Sequence, residues 1–166
     1  MSEGRRFAPE LILRALIDRD VAFVIVGGLA AQFHGSPVLT GDVDICYARD
    51  GDNLERLAGA LADLAAVRRG MPAGVSAPLD TRALRAGDVF TLTTRHGDLD
   101  LLGAPDPGFD YETLRPDSIP AALLGVGVLV ANLDDLVAMK RAAGRPKDLL
   151  ALEHLSALRE EIDRRG

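Results

Sequence analysis

Residues 24–47 read VIVGGLAAQFHGSPVLTGDVDICY, and this stretch contains the features around which the rest of the chain can be interpreted. The apolar run of residues 21–26 is short and rich in β-branched side chains, which predicts a buried strand. Gly27-Gly28 breaks the run as a tight turn, and residues 29–34 are predicted to form a short helix. Asp42–Tyr47 follows as a second strand. The stretch therefore predicts a strand–turn–helix–strand unit.

Asp42 and Asp44 stand two residues apart in the second predicted strand. Residues at this spacing point to the same side of a strand, so the two carboxylates share a face while Val43 and Ile45 point to the core. Neighbouring carboxylates repel each other, and folding alone does not select such a pair. A bound divalent cation removes the repulsion, and Mg²⁺ prefers hard oxygen ligands. The pair is therefore a candidate metal site.

A second pair of carboxylates, Asp98 and Asp100, occurs in the sequence HGDLDLLG at residues 96–103. If this strand lies beside the first one, one of the two side chains joins Asp42 and Asp44. Three carboxylates around one or two Mg²⁺ ions form a site for phosphoryl-type chemistry. The alternative is that these aspartates are solvated at strand ends, as most aspartates are. The spacing leaves open whether Asp98 or Asp100 is the third carboxylate.

The Gly27-Gly28 pair also allows two interpretations. A corner between a strand and a helix needs glycine for positive φ, and such a turn also exposes backbone N–H groups that suit a phosphate. The Rossmann fingerprint is absent because the spacing to Gly35 is wrong, and no Gly-Lys-Ser/Thr of a Walker A motif occurs. An EF-hand beginning at Asp42 is excluded because Tyr47 stands where that loop needs glycine.

The length and composition indicate one globular domain over residues 1–166. The chain is 48% hydrophobic without tryptophan, so its core is expected to consist of Leu, Val, Ile and Ala. A formal charge of -6 gives no overall attraction for nucleic acid. The lone cysteine, Cys46, excludes an internal disulfide, and the apolar run at residues 121–131 is shorter than the roughly 20 residues of a spanning helix. We expect a soluble cytoplasmic protein.

The rest of the chain predicts an α/β (α+β) fold, with a small mixed sheet flanked by helices. The core is expected over about residues 21–130 and helices over about 132–163. A helix that opens at Asn53 is expected to end at Arg68-Arg69-Gly70. Residues 71–78 and 103–108 have loop composition. The other helices are predicted at residues 9–20, 81–85, 111–115, 132–143 and 146–163, and the other strands at 88–94, 98–102 and 126–130.

In their order and spacing these motifs resemble the nucleotidyltransferase superfamily with the DNA polymerase β-like fold. That pattern combines an apolar strand, Gly-Gly or Gly-Ser, a strand with Asp-x-Asp or Asp-x-Glu, and a later strand with a third carboxylate. The later strand typically reads Gly-x-x-Asp-Leu-Leu, which Asp100 matches in GDLDLL. The sequences LVAMK at residues 136–140 and GRPKDL at 144–149 are similar to a small bacterial group related to the minimal nucleotidyltransferases and the type IV abortive-infection toxins. The resemblance spans about residues 21–155.

The resemblance implies a reaction in which the hydroxyl of an acceptor attacks the α-phosphorus of an NTP and pyrophosphate leaves. Asp42 and Asp44 would hold two Mg²⁺ ions, with Mn²⁺ as an alternative metal. Asp100 would bind the second ion and help to deprotonate the acceptor hydroxyl. Backbone amides at Gly27 and Gly28 would contact the phosphates.

The resemblance further implies basic residues for the triphosphate or an RNA acceptor. Lys140, with Arg145 or Lys147, would supply this charge, and Asp148 would orient one of them. Asp98 and Thr40 are assigned supporting roles. Leu29 follows the glycine pair, and the turn lacks the Ser hydroxyl of the Gly-Ser versions of the motif. Phosphate binding would therefore depend on backbone amides. For Lys140 and Lys147, the alternative is an ordinary solvated charge on a helix.

The partners implied are an NTP and a macromolecular acceptor, either tRNA or a protein, with a toxin–antitoxin partner or a homodimer as further expectations. Two alternatives remain open. One is a non-catalytic antitoxin or regulatory protein that keeps the fold. The other is a nucleotidyltransferase for small molecules such as antibiotics, although the chain is expected to be too short for a separate substrate domain. Cys46 is interpreted as a buried thiol, the three histidines receive no role, and Arg68-Arg69 is interpreted as a solvated helix end that could touch a phosphate backbone.

Overall fold

The computed structural model describes residues 6–72, 75, 77–104 and 108–165, without the side chains of residues 147–149 and 152. The loops predicted at residues 71–78 and 103–108 therefore lie partly outside the described residues. The described elements follow in chain order: α1 Pro9–Asp18, β1 Phe23–Val26, α2 Gly27–Phe33, β2 Asp42–Tyr47, α3 Gly51–Asp63, β3 Val67–Arg68, α4 Thr81–Ala86, β4 Val89–Thr94, β5 Gly97–Leu102, α5 Tyr111–Leu114, a 3-10 turn Arg115–Asp117, β6 Ile119–Leu123, β7 Val126–Val130, α6 Leu133–Ala143 and α7 Pro146–Arg165.

The strands of the described residues form one mixed sheet in the order β3-β4-β5-β2-β1-β7-β6. Strand β2 lies at its centre, antiparallel to β1 and parallel to β5. Strand β1 is in turn parallel to β7. The pairs β4-β5 and β6-β7 are antiparallel hairpins at either side. The predicted mixed sheet with flanking helices is confirmed.

The core sits against the central strands, and it explains which face of β2 and β5 is left for polar residues. All four residues of β1 are buried, and in β2 the side chains of Val43 and Ile45 are fully buried. Strand β5 alternates strictly, with Leu99 and Leu101 buried between less buried neighbours. Apolar residues of α1 and α3 join the same core. Because strand side chains alternate, the aspartates of β2 and β5 face away from this core.

A buried asparagine ties α3 to the ends of β1 and β2. Asn53 is fully buried, and its side chain accepts from the Ala22 amide and donates to the carbonyls of Ala22 and Ala48. The helix itself begins two residues earlier than predicted, at Gly51, because the Asp50 side chain caps the Asn53 amide. These bonds fix where β2 ends relative to β1.

Two parts of the sequence prediction are wrong, one at each edge of the sheet. The helix expected to reach Arg68-Arg69-Gly70 ends at Asp63, after which Ala65 takes a φ of 52° and the chain turns back. Val67–Arg68 then forms β3, which is antiparallel to β4. Strand β6 at Ile119–Leu123 was not predicted either. Both are edge strands that form by pairing with a neighbouring strand, β3 with β4 and β6 with β7. The periodicity within each segment is too weak to predict them.

The C-terminal helices follow the prediction closely. Asn132 caps α6 by accepting from the Asp135 amide at 2.7 Å, and Gly144 ends it in the left-handed conformation with φ 65°. Helix α7 then runs from Pro146 to Arg165. Among the described residues, no helix combines the length and apolar character that crossing a membrane requires.

Candidate active site

The register between β2 and β5 brings the two aspartate pairs side by side. Asp42 lies opposite Asp98, and Asp44 lies opposite Asp100. Neighbouring strands are about 4.8 Å apart and paired residues share a face, so four carboxylates are crowded onto one patch of the sheet. Like charges placed opposite each other are unfavourable. The arrangement therefore requires positive charge or protons for compensation.

Three of these four carboxylates lie close to one another. One oxygen each from Asp42, Asp44 and Asp100 can be chosen so that all lie within 4.8 Å of one another, and Asp98 is not part of this set. We call these three residues the aspartate cluster. The predicted third carboxylate, Asp100, is thus the one that the register brings to Asp42 and Asp44, while Asp98 lies beside them. The cluster was found in a search of the described residues only.

The electrostatics of the aspartate cluster show that its negative charge is poorly compensated. Burial, together with the charges of Asp42 and Asp100, raises the pKa of the Asp44 carboxyl to about 7. The pKa of Asp100 is also raised, again mainly by burial, although Arg69 opposes this shift. Three hard oxygen donors with excess negative charge are a donor set that suits a divalent cation such as Mg²⁺. The residues present therefore fit a metal ion.

The glycine pair lies directly against Asp44. A Cβ on Gly27 would be 2.0 Å from Asp44 Oδ2, and one on Gly28 would be 2.6 Å from Thr40 Oγ1. Gly27 also has a φ of +67°, which favours glycine. The pair opens α2 instead of forming a separate turn before it, which corrects the predicted helix start at residue 29. The N-cap residue of α2 is Val26, whose side chain makes no capping hydrogen bond. The amide groups in the first turn of α2 therefore receive no side-chain cap.

Thr40 supports the aspartate cluster from the loop before β2. Its hydroxyl donates to Asp42 Oδ1 at 3.0 Å, and the Asp42 carbonyl lies at 3.3 Å. A hydrogen bond of this kind orients one carboxylate oxygen and leaves the other for a ligand. The supporting position predicted for Thr40 is therefore consistent with its contacts.

Thr40→Val is expected to weaken Mn²⁺ binding about tenfold, because loss of an orienting hydrogen bond to a metal ligand typically has this size. Thr93→Val is the matched control, since the Thr93 hydroxyl donates in the same way to Asp98 Oδ1 at 3.2 Å, outside the aspartate cluster. Isothermal titration of both metal-free variants with Mn²⁺ measures the effect. Equal affinities in the two variants would contradict the role of Thr40.

The charge of Lys140, one of the predicted basic residues, acts on the aspartate cluster. Its ammonium group, on α6, lowers the pKa of Asp44 against the effect of burial. Arg145 follows Gly144 in the short connection between α6 and α7. The side chains of Lys147 and Asp148 lie outside the described residues. The structure therefore places Lys140 near the carboxylates and leaves the roles of the other three as predictions.

A basic residue that was not assigned to the site, Arg69, contacts it directly. Its Nη2 donates to Asp100 Oδ1 at 2.9 Å, and its Nε lies 3.5 Å from Asp98 Oδ2. The prediction that Arg68-Arg69 is a solvated helix end is therefore wrong. Arg68 belongs to β3, and its guanidinium lies 5.1 Å from the centre of the Phe90 ring. The only sequence signal for Arg69 was the presence of two adjacent arginines in an acidic chain.

Other candidate groups are structural. Cys46 is fully buried, and burial raises the pKa of its thiol to about 12, which makes it an unreactive packing residue as predicted. His34 Nε2 donates to the Ala131 carbonyl at 2.9 Å. His34 thus joins the end of α2 to the start of the C-terminal helical region.

Comparison with known proteins identifies this arrangement at the level of fold. A scan against family models and a search of curated proteins each found no match. Among solved structures, a Thermotoga maritima protein provisionally assigned as a nucleotidyltransferase (TM1012) matches with a TM-score of 0.50 and 16% identity, covering 99% of each chain. The antibiotic-resistance factor ANT(2'')-Ia matches with a TM-score of 0.52 and 16% identity, covering 95% of this chain and 90% of the other. The chain therefore shares the fold of these two solved structures, in agreement with the fold predicted from the order of its strand, glycine and carboxylate motifs.

Proposed function

We propose that this protein is a metal-dependent nucleotidyltransferase that moves an NMP from an NTP to a hydroxyl group of an acceptor. The observation that carries the proposal is the meeting of Asp42, Asp44 and Asp100 within 4.8 Å. A protein without turnover gains nothing from three partly buried carboxylates that repel one another. Their convergence beside a glycine-opened helix, in this fold, supports an enzyme over a regulatory protein that only keeps the fold.

In the proposed reaction the aspartate cluster would hold two Mg²⁺ ions, with Mn²⁺ as a substitute. When bound, these ions neutralise charge on the attacking and leaving oxygens. Asp42 and Asp44 would hold both ions, and Asp100 would bind the second ion and help to remove the proton of the acceptor hydroxyl. The hydroxyl oxygen forms a bond to the α-phosphorus as the bond to the β-phosphate oxygen breaks, and pyrophosphate leaves.

The phosphates of the NTP are proposed to lie against the start of α2. The amides of Gly27 and Gly28 would donate to phosphate oxygens, and the absence of a side-chain cap at Val26 supports this. Lys140 would add positive charge from α6, with Arg145 or Lys147 at the start of α7. Asp148 would orient one of these bases.

The acceptor is proposed to be a macromolecule, either tRNA or a protein, which includes a partner in a toxin–antitoxin pair. A small-molecule acceptor is the second candidate, and one observation favours it. The present chain covers 90% of the chain of ANT(2'')-Ia, an antibiotic-resistance factor. A chain of this length and fold is therefore compatible with a role in antibiotic resistance. This removes the argument that the present chain is too short to act on a small molecule. A homodimer that completes the pocket belongs to the same proposal.

Transfer of label tests the proposal directly. The wild-type protein is incubated with each NTP labelled at the α-phosphate, Mg²⁺, and one of three acceptor pools, namely total tRNA, a lysate of the source cell, or hydroxyl-bearing antibiotics. Asp42→Asn and Asp44→Asn are run beside it. Asp88→Asn is the control, because Asp88 is an exposed aspartate paired with Arg49 and lies outside the aspartate cluster. Label in one pool, retained by Asp88→Asn and lost in both cluster variants, is the expected result.

The same experiment separates the alternatives. The pool that receives the label distinguishes a macromolecular acceptor from a small molecule. A protein that binds Mn²⁺ and nucleotide by calorimetry but transfers no label would support a non-catalytic regulatory protein instead. No transfer with any nucleotide, together with no metal binding, would overturn the proposal.

A further inference from the structure

The backbone of Arg69 is hydrogen-bonded to a row of paired residues that runs across β4, β5 and β2 to the aspartate cluster. Its backbone amide donates to the Thr91 carbonyl at 2.9 Å, and Thr91 lies opposite Asp100 in the β4-β5 pair. Asp100 in turn lies opposite Asp44 in the β5-β2 pair. The backbone of Arg69 is therefore attached to the same row of residues that contains two members of the cluster.

The guanidinium of Arg69 is fixed at more than one point. Nη2 donates both to the Leu92 carbonyl at 3.0 Å and to Asp100 Oδ1 at 2.9 Å. Nε lies 3.5 Å from Asp98 Oδ2, and Asp98 also accepts from the Thr93 hydroxyl. A planar guanidinium held by a carbonyl and two carboxylates has little freedom to rotate. It is therefore able to hold Asp100 in one orientation.

The Asp100 carboxylate takes part both in the contact with Arg69 and in the aspartate cluster. Its Oδ1 accepts from Arg69 Nη2 at 2.9 Å, and one of its oxygens lies within 4.8 Å of oxygens of Asp42 and Asp44. The Asp100 side chain is only 18% exposed, whereas Asp98 is 41% exposed. Arg69 thus adds one positive charge beside a group of four carboxylates, next to the one member of the cluster that lies on β5.

We propose that Arg69 compensates the negative charge of Asp100 and thereby reduces the affinity of the aspartate cluster for divalent cations. The inference rests on the proposed function, because it assumes that the cluster binds a metal. Asp98 shares the arginine and helps to keep it in place.

The affinity for Mn²⁺ tests this proposal without any assay of transfer. Calorimetric titration, with the electron paramagnetic resonance signal of free Mn²⁺ as a second readout, is applied to the wild type, Arg69→Ala and Arg69→Lys. We expect Arg69→Ala to bind Mn²⁺ more tightly by about three- to tenfold, because one positive charge near the ion has been removed. Arg69→Lys keeps that charge and is expected to stay within about twofold of the wild type. Arg95→Ala is the charge-matched control, because Arg95 acts on Asp63 at the end of α3.

A purely structural role for Arg69 predicts the opposite sign, since a loosened site binds metal more weakly. Unchanged or weaker binding in Arg69→Ala, or tighter binding in Arg95→Ala to the same extent, would overturn the inference while leaving the proposed function intact. A wild-type protein that binds no Mn²⁺ would overturn both.

A double-mutant cycle in metal-free protein gives a readout that metal binding cannot influence. Arg69→Ala is expected to lower the thermal midpoint of the wild type, and to lower it less in the background of Asp100→Asn. Asp100→Asn removes the charge that Arg69 compensates, so the two substitutions are expected to be non-additive. Additive shifts would show that Arg69 does not act through Asp100.

Discussion

Replacing Asp44 by asparagine is expected to stabilise the metal-free protein at pH 8 while abolishing nucleotide transfer. Folding raises the pKa of Asp44 to about 7, compared with 3.8 for an unperturbed aspartate. Such a carboxyl contributes fully to the stability of the folded state below the pKa of the unfolded chain. This contribution is lost as the pH rises through the folded-state pKa of about 7. Asparagine cannot ionise, so the penalty present at pH 8 is removed.

The size of the stabilisation is expected to be on the order of 1–3 kcal/mol at pH 8. A shift of one pKa unit corresponds to about 1.4 kcal/mol, and the three carboxylates share the effect, so the full shift of Asp44 is an upper bound. Urea denaturation of both proteins in the presence of EDTA, at pH 5 and at pH 8, measures it. The difference between the variant and the wild type is expected to be much smaller at pH 5. A variant that is less stable than the wild type at pH 8 would contradict the electrostatic description of the site.

The same substitution removes a proposed metal ligand, and the loss of transfer is expected to exceed about a thousandfold. Metal ions contribute several kcal/mol of charge stabilisation in such reactions, and each 1.4 kcal/mol is worth a factor of ten in rate. Mg²⁺ should raise the melting temperature of the wild type and of the Asp88→Asn control but not that of Asp44→Asn. Stability gained together with function lost would separate an active-site role from a structural one. Retained transfer in Asp44→Asn would remove Asp44 from the proposed machinery.

Gly27→Ala is expected to have the largest effect of any single methyl group added near the site. The new Cβ would be 2.0 Å from Asp44 Oδ2, and the φ of +67° is unfavourable for alanine. Either α2 or the Asp44 side chain must move. We expect a loss of about 2–4 kcal/mol in the free energy of unfolding, which combines backbone strain with overpacking. Metal affinity should fall at least about tenfold, because displacement of Asp44 breaks the aspartate cluster.

Two other glycines provide graded controls for this prediction. A Cβ at Gly41, one residue before Asp42, would meet no atom within 4 Å, so Gly41→Ala should leave both stability and metal affinity nearly unchanged. Gly28→Ala should fall between the two, since its Cβ would press on Thr40 Oγ1 at 2.6 Å. Urea denaturation and Mn²⁺ titration of the three variants establish the order. Equal effects of Gly27→Ala and Gly41→Ala would show that Gly27 is not needed for close packing against Asp44.

The local elements were largely predictable because their signals lie within a few neighbouring residues. The strict alternation of β5 and the Asp42–Tyr47 strand follow from which side chains can face a core. The cap at Asn132 and the break at Gly144 follow from backbone hydrogen bonding and from positive φ. The end of α3 was not predictable in the same way, because Ala65 adopts a positive φ that alanine seldom takes.

The site was predictable only in part. Asp42 and Asp44 form a pair that is visible in any strand, and the resemblance to nucleotidyltransferases pointed to Asp100 as the third carboxylate. The contact of Arg69 with Asp100 had no comparable signal, since it depends on a two-residue strand, β3, that exists only through pairing with β4. The roles of Lys140, Arg145, Lys147 and Asp148 stay predictions.

The amino-acid sequence established strands β1, β2, β4, β5 and β7, a short helix next to the glycine pair, and the two pairs of aspartates, because these depend on short-range periodicity and on backbone conformation. Only the tertiary structure showed which aspartates lie together and that the guanidinium of Arg69 compensates part of their negative charge. The reason is the register of β2 and β5, two parallel strands more than fifty residues apart in the chain, in which a slip of one residue turns each side chain to the other face. Long-range register also brings Arg69 to Asp100, and it leaves Asp98 outside the aspartate cluster.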